Sequence, residues 1–247
     1  MKNQYVADIG DYGKYGLLRF LQAQGIKLGV NWYFTPPDNR KDGRHLEYLE
    51  REAYREYDSV VYDEMRRIAF LPDKNINMVE NSGILQAAVF YHAILDTDSL
   101  EVSMRTKARR KWHIKALQAL RDVDLVFADP DNGLGINQRA GLKDSQRFIL
   151  PDEVADYYSQ GQDIFYYHHR DRKKSDSWMG QKTYMKRLLP DARLMAVAAH
   201  KWSMRAYIFV IHPSRADLYK KMIEDFLNTE WGSLKTGRTL FFRKEEA

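Results

Sequence analysis

Residues 123–135 read VDLVFADPDNGLG. The segment Val123–Ala128 (VDLVFA) ends at Asp129-Pro130 and is followed by two more polar residues and two glycines. A largely apolar stretch of this length, bounded by turn residues, reads as a buried strand. Such strands belong to parallel sheets covered by helices. The segment before it, Met104–Leu120, places Met104, Ala108, Trp112, Ala116 and Leu120 four apart, the spacing of a helix packed by one face. Helix, strand and polar turn in that order form half of a crossover unit.

Working outward, the same alternation recurs. Tyr15–Gln24 predicts a helix stopped by Gly25, and Lys27–Phe34 predicts the first strand. His45–Glu56, Val60–Phe70 and Asn81–Leu95 predict helices; Asp152–Ser159, Gln181–Leu189 and Ser214–Asn228 predict three more. Asp163–His168, Leu194–Lys201, Arg205–Ile211 and Thr239–Arg243 predict strands, with the middle two joined as an antiparallel hairpin. Strands alternating with helices give an α/β three-layer sandwich with a mainly parallel, Rossmann-like sheet and a late antiparallel hairpin. No repeat or linker divides the 247 residues, so one catalytic domain over 1–247 is expected.

Composition narrows the chemistry. The chain has no Cys, which excludes disulfides, thiol nucleophiles and Cys-based zinc sites. Its seven His show no metal-ligand spacing, so no metal site is expected. The opening MKNQYVADIGDYG lacks the apolar core of a secretory signal, and the expected location is cytoplasmic. The net charge of +5 points weakly towards a polyanionic partner.

In open parallel sheets ligands bind beyond the carboxyl ends of the strands. That rule directs attention to four turns. After Ala128, Asp129, Asp131 and Asn132 are carried to the ligand edge, where a carboxylate orients water, accepts a proton or stabilises positive charge; the same residues also make an ordinary β-turn. After Ile211 stands His212-Pro213-Ser214, either a ligand contact or, with Asp217, a helix cap. After Tyr167 come His168, His169 and a basic run, Arg170, Arg172, Lys173 and Lys174; consecutive histidines on a strand point to opposite faces. After Phe34 come two prolines where a nucleotide cofactor needs a glycine-rich loop. Near the start, Asp11 and Lys14 read as a helix cap and a site charge. Arg105, Arg109, Arg110 and Lys111 open the helix before the decisive strand, so they too fall at this edge, either as phosphate contacts or as wet surface.

These motifs carry two resemblances. Asp129-Pro130-Asp131-Asn132 resembles the Asp-Pro-Pro-Tyr loop of the class I ribosomal RNA adenine-N6 methyltransferases of the large subunit. The late hairpin and the Asp11…Lys14 segment are similar in position. Asp131 and Asn132 replace the second proline and the tyrosine, and the methyl-donor loop has no counterpart after Phe34. Ala128-Asp129-Pro130-Asp131-Asn132-Gly133 and His212-Pro213-Ser214-Arg215 resemble, in the same order, the two short motifs of the uracil-DNA glycosylase superfamily. In size and character the chain is also similar to the antiviral DNA glycosylases of bacterial phage defence, which remove a glucosylated hydroxymethylcytosine base.

The second resemblance implies a cofactor-free DNA glycosylase acting on a bulky modified base of phage DNA. Asp129 and Asp131 would orient water or stabilise the sugar cation, and Asn132 or His212 would assist the departing base. Phe34, Asp11, Lys14 and His168 would surround the base. Arg105, Arg109, Arg110, Lys111, Arg170, Arg172, Lys173, Lys174 and Arg215 would hold phosphates, with Leu218 filling the vacated stack. The first resemblance implies an S-adenosylmethionine-dependent base methyltransferase instead. A nucleic-acid-binding module without catalysis is the third expectation.

Overall fold

A computed structural model describes residues 1–37, 45–169, 178–199, 205–232 and 241–244. One seven-stranded sheet organises them, in the order β2-β1-β3-β6-β8-β7-β9. These strands are β1 (Leu28–Asn31), β2 (Val89–Tyr91), β3 (Leu125–Ala128), β6 (Asp163–His169), β7 (Arg193–Ala199), β8 (Arg205–Ile211) and β9 (Phe242–Lys244). Strands β2, β1, β3 and β6 are mutually parallel; β8 runs antiparallel between β6 and β7, and β9 pairs antiparallel with β7. A separate two-stranded ribbon pairs β4 (Gly133–Leu134) with β5 (Phe148–Ile149). The α/β three-layer fold expected from the sequence is the fold observed.

Alternation along the strands divides the apolar residues between two cores. On one face Leu125, Phe127, Phe165 and Phe209 pack against helices α1 (Ile9–Ala23), α2 (Ser59–Ala69), α3 (Ile76–Glu80) and α7 (Ala216–Leu227). On the other, Val126, Ala128, Ile164 and Ile208 pack against α4 (Val102–Ala119), α5 (Pro151–Ser159) and α6 (Trp178–Leu188). Burying both faces at about 25 cal/mol per Å² of apolar area is the main stabilising term.

Helix α1 carries Gly10, Gly13 and Gly16 although interior glycine costs about 1 kcal/mol relative to alanine. Each is a point of close approach. A methyl group would collide with the Arg205 guanidinium at Gly10, the Phe241 ring at Gly13 and the Trp231 indole at Gly16. This face lets the first turn of α1 settle against the start of β8, beside the carboxyl edge, and the rest of the helix against the Phe241 and Trp231 rings.

Three elements differ from expectation. Residues 47–50 and 52–54 form short 3-10 turns rather than one helix over His45–Glu56. The segment Asn81–Leu95, expected as a helix, contains turns and the strand β2, held by its parallel register with β1. The Ser214–Asp217 capping box does not form: Arg215 occupies the cap position of α7, without a side-chain cap bond. Among the described residues no helix is long and apolar enough to cross a membrane.

Candidate active site

The register Asn31–Ala128–Tyr166 marks the carboxyl edge of the parallel strands. Immediately beyond it, Asp129, Asp131 and Asn132 meet the first turn of α1 around a cavity of about 300 Å³. Asp8 caps α1, its Oδ1 accepting from the N–H of Gly10 (2.7 Å) and of Asp11 (3.0 Å). This cap fixes the first turn and with it Asp11 and Lys14. Lys14 Nζ lies 2.6 Å from Asp11 Oδ1 and 2.8 Å from Asp129 Oδ2. All three side chains are buried. Lys14 also lies over the rings of Tyr15 and Trp32.

One ammonium thus serves two carboxylates. Burial, together with the charges of Asp8 and Asp129, pushes the Asp11 carboxyl up to about 6 against the pull of Lys14. Burial opposes the charge on Lys14, but Asp11 and Asp129 outweigh it and hold its pKa well above that of a free lysine. Lys14 is therefore an ammonium with its donors engaged, not a nucleophilic amine.

Asp131 plays a different part from the one expected. Its carboxylate pairs with the Met1 amino group (2.9 Å) and with the buried Lys2 (3.2 Å). Burial raises its pKa, and these two cations more than reverse the effect. The Met1 amino group also donates to the carbonyls of Tyr33 (3.2 Å) and Asp129 (3.0 Å). Asp131 is thereby the clamp that seats residues 1–2 between the ends of β1 and β3. Asn132 lines the cavity, and its N–H donates to the Arg147 carbonyl (2.9 Å).

The remaining expected residues divide sharply. His212 is at the opposite edge of the sheet, because β8 runs antiparallel and ends beside the start of β6. Its N–H donates to Asp163 Oδ1 (2.7 Å), and its ring stacks on Tyr158 at a centroid distance of 3.8 Å. Arg215 pairs with Asp163 at that same far edge. Leu218 follows it on α7. None of the three takes part in the carboxyl-edge site.

His168 is buried on the α6 face, where Gln181 Nε2 lies 3.0 Å from its Nδ1. It sits under Gly133, whose φ of +99° and lack of a side chain allow the contact. Its neighbour His169 lines the cavity instead, as does His45. Phe34 is half-buried against the core and is not one of the lining residues.

Among the basic residues, Arg109 is fully buried. It forms a two-pronged pair with Glu153 (2.8 Å to each oxygen) and donates to the carbonyls of Ser145 and Phe148 (2.7 Å each). It is a structural cation and not a phosphate contact. Arg105 is spent on the loop before α4, donating to the carbonyls of Leu100 (3.0 Å) and Asp98 (3.3 Å). Arg110 is exposed and paired with Asp156, and Lys111 is exposed. Arg170, Arg172, Lys173 and Lys174 lie outside the described residues.

Tyr167, one of the aromatics at the strand ends in the sequence, walls the cavity, together with Arg205 and Tyr207, which sequence reasoning missed. On paired strands, residues two apart share a face, so Tyr167 and His169 of β6 stand opposite Tyr207 and Arg205 of β8. The signal was a charged residue opening an otherwise apolar seven-residue strand, Arg205–Ile211. Arg205 is nearly buried and lies 3.8 Å from Asp8. Burial disfavours its charge, yet Asp8 and Tyr167 hold its pKa above that of a free arginine.

No family model matches the chain, and no curated protein sequence matches it. A solved structure similar to it is that of a Legionella pneumophila protein of the DUF519 family. That protein is 13% identical, with a TM-score of 0.45, and the match covers 94% of this chain and 93% of the other.

The chemistry available in the cavity follows from its donors and acceptors. It offers carboxylates able to hold a water molecule or face a cation, an amide at Asn132, and aromatic walls at Tyr5, Tyr167 and Tyr207.

Proposed function

We propose that this protein is a DNA glycosylase that hydrolyses the N-glycosidic bond of a bulky modified base in phage DNA and leaves an abasic site. The observation that carries this reading is the Asp11–Lys14–Asp129 cluster inside an aromatic-walled cavity at the carboxyl edge. The cavity volume, about 300 Å³, is at the small end of the range for small-molecule sites and suits an extruded base.

In the reaction a water oxygen bonds to the sugar C1′ as the C1′–N bond breaks. The base departs with the bonding pair and takes up a proton. Asp129 holds the water and faces the developing sugar cation, as preorganised charge does in other hydrolytic sites. Asp11, with its carboxyl near 6, shares its proton with the leaving base. Asn132 offers an amide donor to the base edge. The resemblance to the phage-defence glycosylases supports glucosylated hydroxymethylcytosine as the base.

A second reading has one observation in its favour. Strand β8 lies antiparallel between β6 and β7, and Asp129-Pro130 ends β3, as the methyltransferase resemblance implies. At the end of β1, where a methyl donor would bind, Trp32, Tyr33, Met1 and Lys2 are buried, which favours the first reading.

The deciding experiment incubates the protein with glucosylated phage DNA and with unmodified DNA, adds no cofactor, and then cleaves abasic sites with alkali. Breaks confined to modified DNA, lost in Asp129→Asn, are expected. Intact DNA in both lanes, with tight S-adenosylmethionine binding by calorimetry, would replace this reading with the second. Intact DNA together with steeply salt-dependent binding would leave a non-catalytic binding module.

A further inference from the structure

The ammonium groups at and beside the cavity are closely paired. Lys14 Nζ is 2.6 Å from Asp11 and 2.8 Å from Asp129. The Met1 amino group is 2.9 Å from Asp131, and Lys2 is 3.2 Å from the same carboxylate. Arg205 is not paired in this way. Its side chain is only 13% exposed, yet among the described residues its closest carboxylate oxygen, Asp8 Oδ2, is 3.8 Å away. The other Asp8 oxygen is spent on the α1 cap. Besides Asp8 the guanidinium meets the Tyr167 hydroxyl. A fork of five N–H donors exceeds what these two accept, and a charge withdrawn from water is stabilised by short, hydrogen-bonded partners.

The fold makes room for this cation at the cavity. Gly10 of α1 lacks a side chain where a methyl group would strike the guanidinium. In the β6–β8 register Arg205 stands across from His169, and both line the cavity with Asp129. Tyr167 and Tyr207 lie close enough to Arg205 and to Asp129 for each charge to act on them, so the two rings bridge the cation and the carboxylate. The geometry points to a phosphate site: Arg205, with His169 beside it, holds the 5′-phosphate of the nucleotide whose C1′ faces Asp129, and a free nucleoside 5′-monophosphate is a ligand of this cavity. The inference rests on the base-removal reading for the placement of the sugar. A guanidinium matches two phosphate oxygens at once, and such charge-assisted bonds are about twice as strong as neutral ones. Hydrolysis of the bound nucleotide puts the water hydroxyl on C1′ and the proton on the base, releasing 2-deoxyribose 5-phosphate.

The test measures binding to the full chain by calorimetry, with deoxycytidine 5′-monophosphate, 2-deoxyribose 5-phosphate and deoxycytidine as probes. The monophosphate should bind at least about tenfold more tightly than deoxycytidine, the weight of a charge-assisted pair. The sugar phosphate, which carries no base, should displace it. Arg205→Lys keeps a charge beside Asp8 but loses the fork. It should lose most of the preference for the monophosphate and leave deoxycytidine binding within about twofold of wild type. Arg205→Gln should abolish the preference, with thermal unfolding checking that the chain is folded.

Equal binding of the monophosphate and deoxycytidine by the wild-type protein overturns the inference. So does an undiminished preference in folded Arg205→Gln. Given the preference, a short single strand of DNA that displaces the monophosphate identifies the bound group as a strand phosphate, and failure to displace it identifies the free nucleotide as the occupant. If the monophosphate binds through Arg205 but neither it nor DNA loses a base, the phosphate site stands and base removal falls. If alkali-labile sites form in DNA while Arg205→Gln binds the monophosphate as wild type does, base removal stands and the phosphate site falls.

Discussion

Lys14 Nζ donates to Asp129 Oδ2 across 2.8 Å, joining residues 115 positions apart. The same ammonium holds Asp11. Removing it leaves two buried carboxylates facing each other without a counter-charge. Lys14→Met is expected to lower stability by about 3–5 kcal/mol, the usual cost of orphaning a buried charge. Urea unfolding measures it. Adding Asp11→Asn to Lys14→Met should recover part of the loss, because one of the orphaned charges is then gone.

Asp11 makes the protein sensitive to pH with a defined sign. Its carboxyl is raised from 3.8 to about 6 on folding, so the folded chain holds that proton more tightly than the unfolded one. The contribution to stability is full below pH 3.8 and is lost as pH rises through about 6. The shift corresponds to on the order of 3 kcal/mol. Wild type relative to Asp11→Asn should therefore lose stability between pH 4 and 6 and level off above about 7. Urea titrations across that range check the sign, and carboxyl-carbon NMR checks the midpoint.

Arg109 and Lys111 lie two positions apart in one basic segment and should behave as opposites. Arg109→Ala strands the buried Glu153 and is expected to cost about 3–5 kcal/mol. Lys111→Gln should change stability by less than about 0.5 kcal/mol. If α4 touches DNA, Lys111→Gln should lower the salt slope of binding by about 1. Thermal unfolding and fluorescence anisotropy on the two variants separate the roles.

His212→Ala should cost about 1 kcal/mol through loss of its stack on Tyr158. Base release should stay within about twofold of wild type, since the residue stands at the far edge of the sheet. A loss of activity without a loss of stability would show that His212 reaches the chemistry after all. Alkali-cleavage assays beside thermal unfolding decide it.

The sheet was legible where burial is two-sided. Leu125–Ala128 and Arg205–Ile211 announce themselves as near-continuous apolar runs. Strand β2 was not legible: Asn81–Leu95 is rich in alanine and leucine and mimics helical spacing, while the strand exists because β1 offers it a partner. The cluster of Asp11, Lys14 and Asp129 was found in part because a carboxyl-edge rule applies to parallel β3. The same rule misplaced His212 and Arg215, because an antiparallel strand delivers its end to the other edge. Arg109 was misread because its type matches its exposed neighbours. Its spacing to Trp112, Ala116 and Leu117 placed it on the buried face of α4.

Strand β1 finds its two neighbours at residues 89–91 and 125–128, far along the chain. Apart from the β7–β8 hairpin, the pairings that define the sheet join segments far apart in the chain, which is the property that slows folding. Until Leu125–Ala128 has been synthesised, β1 carries an open, apolar hydrogen-bonding edge. A fragment ending before that point is expected to aggregate instead of waiting as a folded half, so this protein offers no early stopping point for truncation.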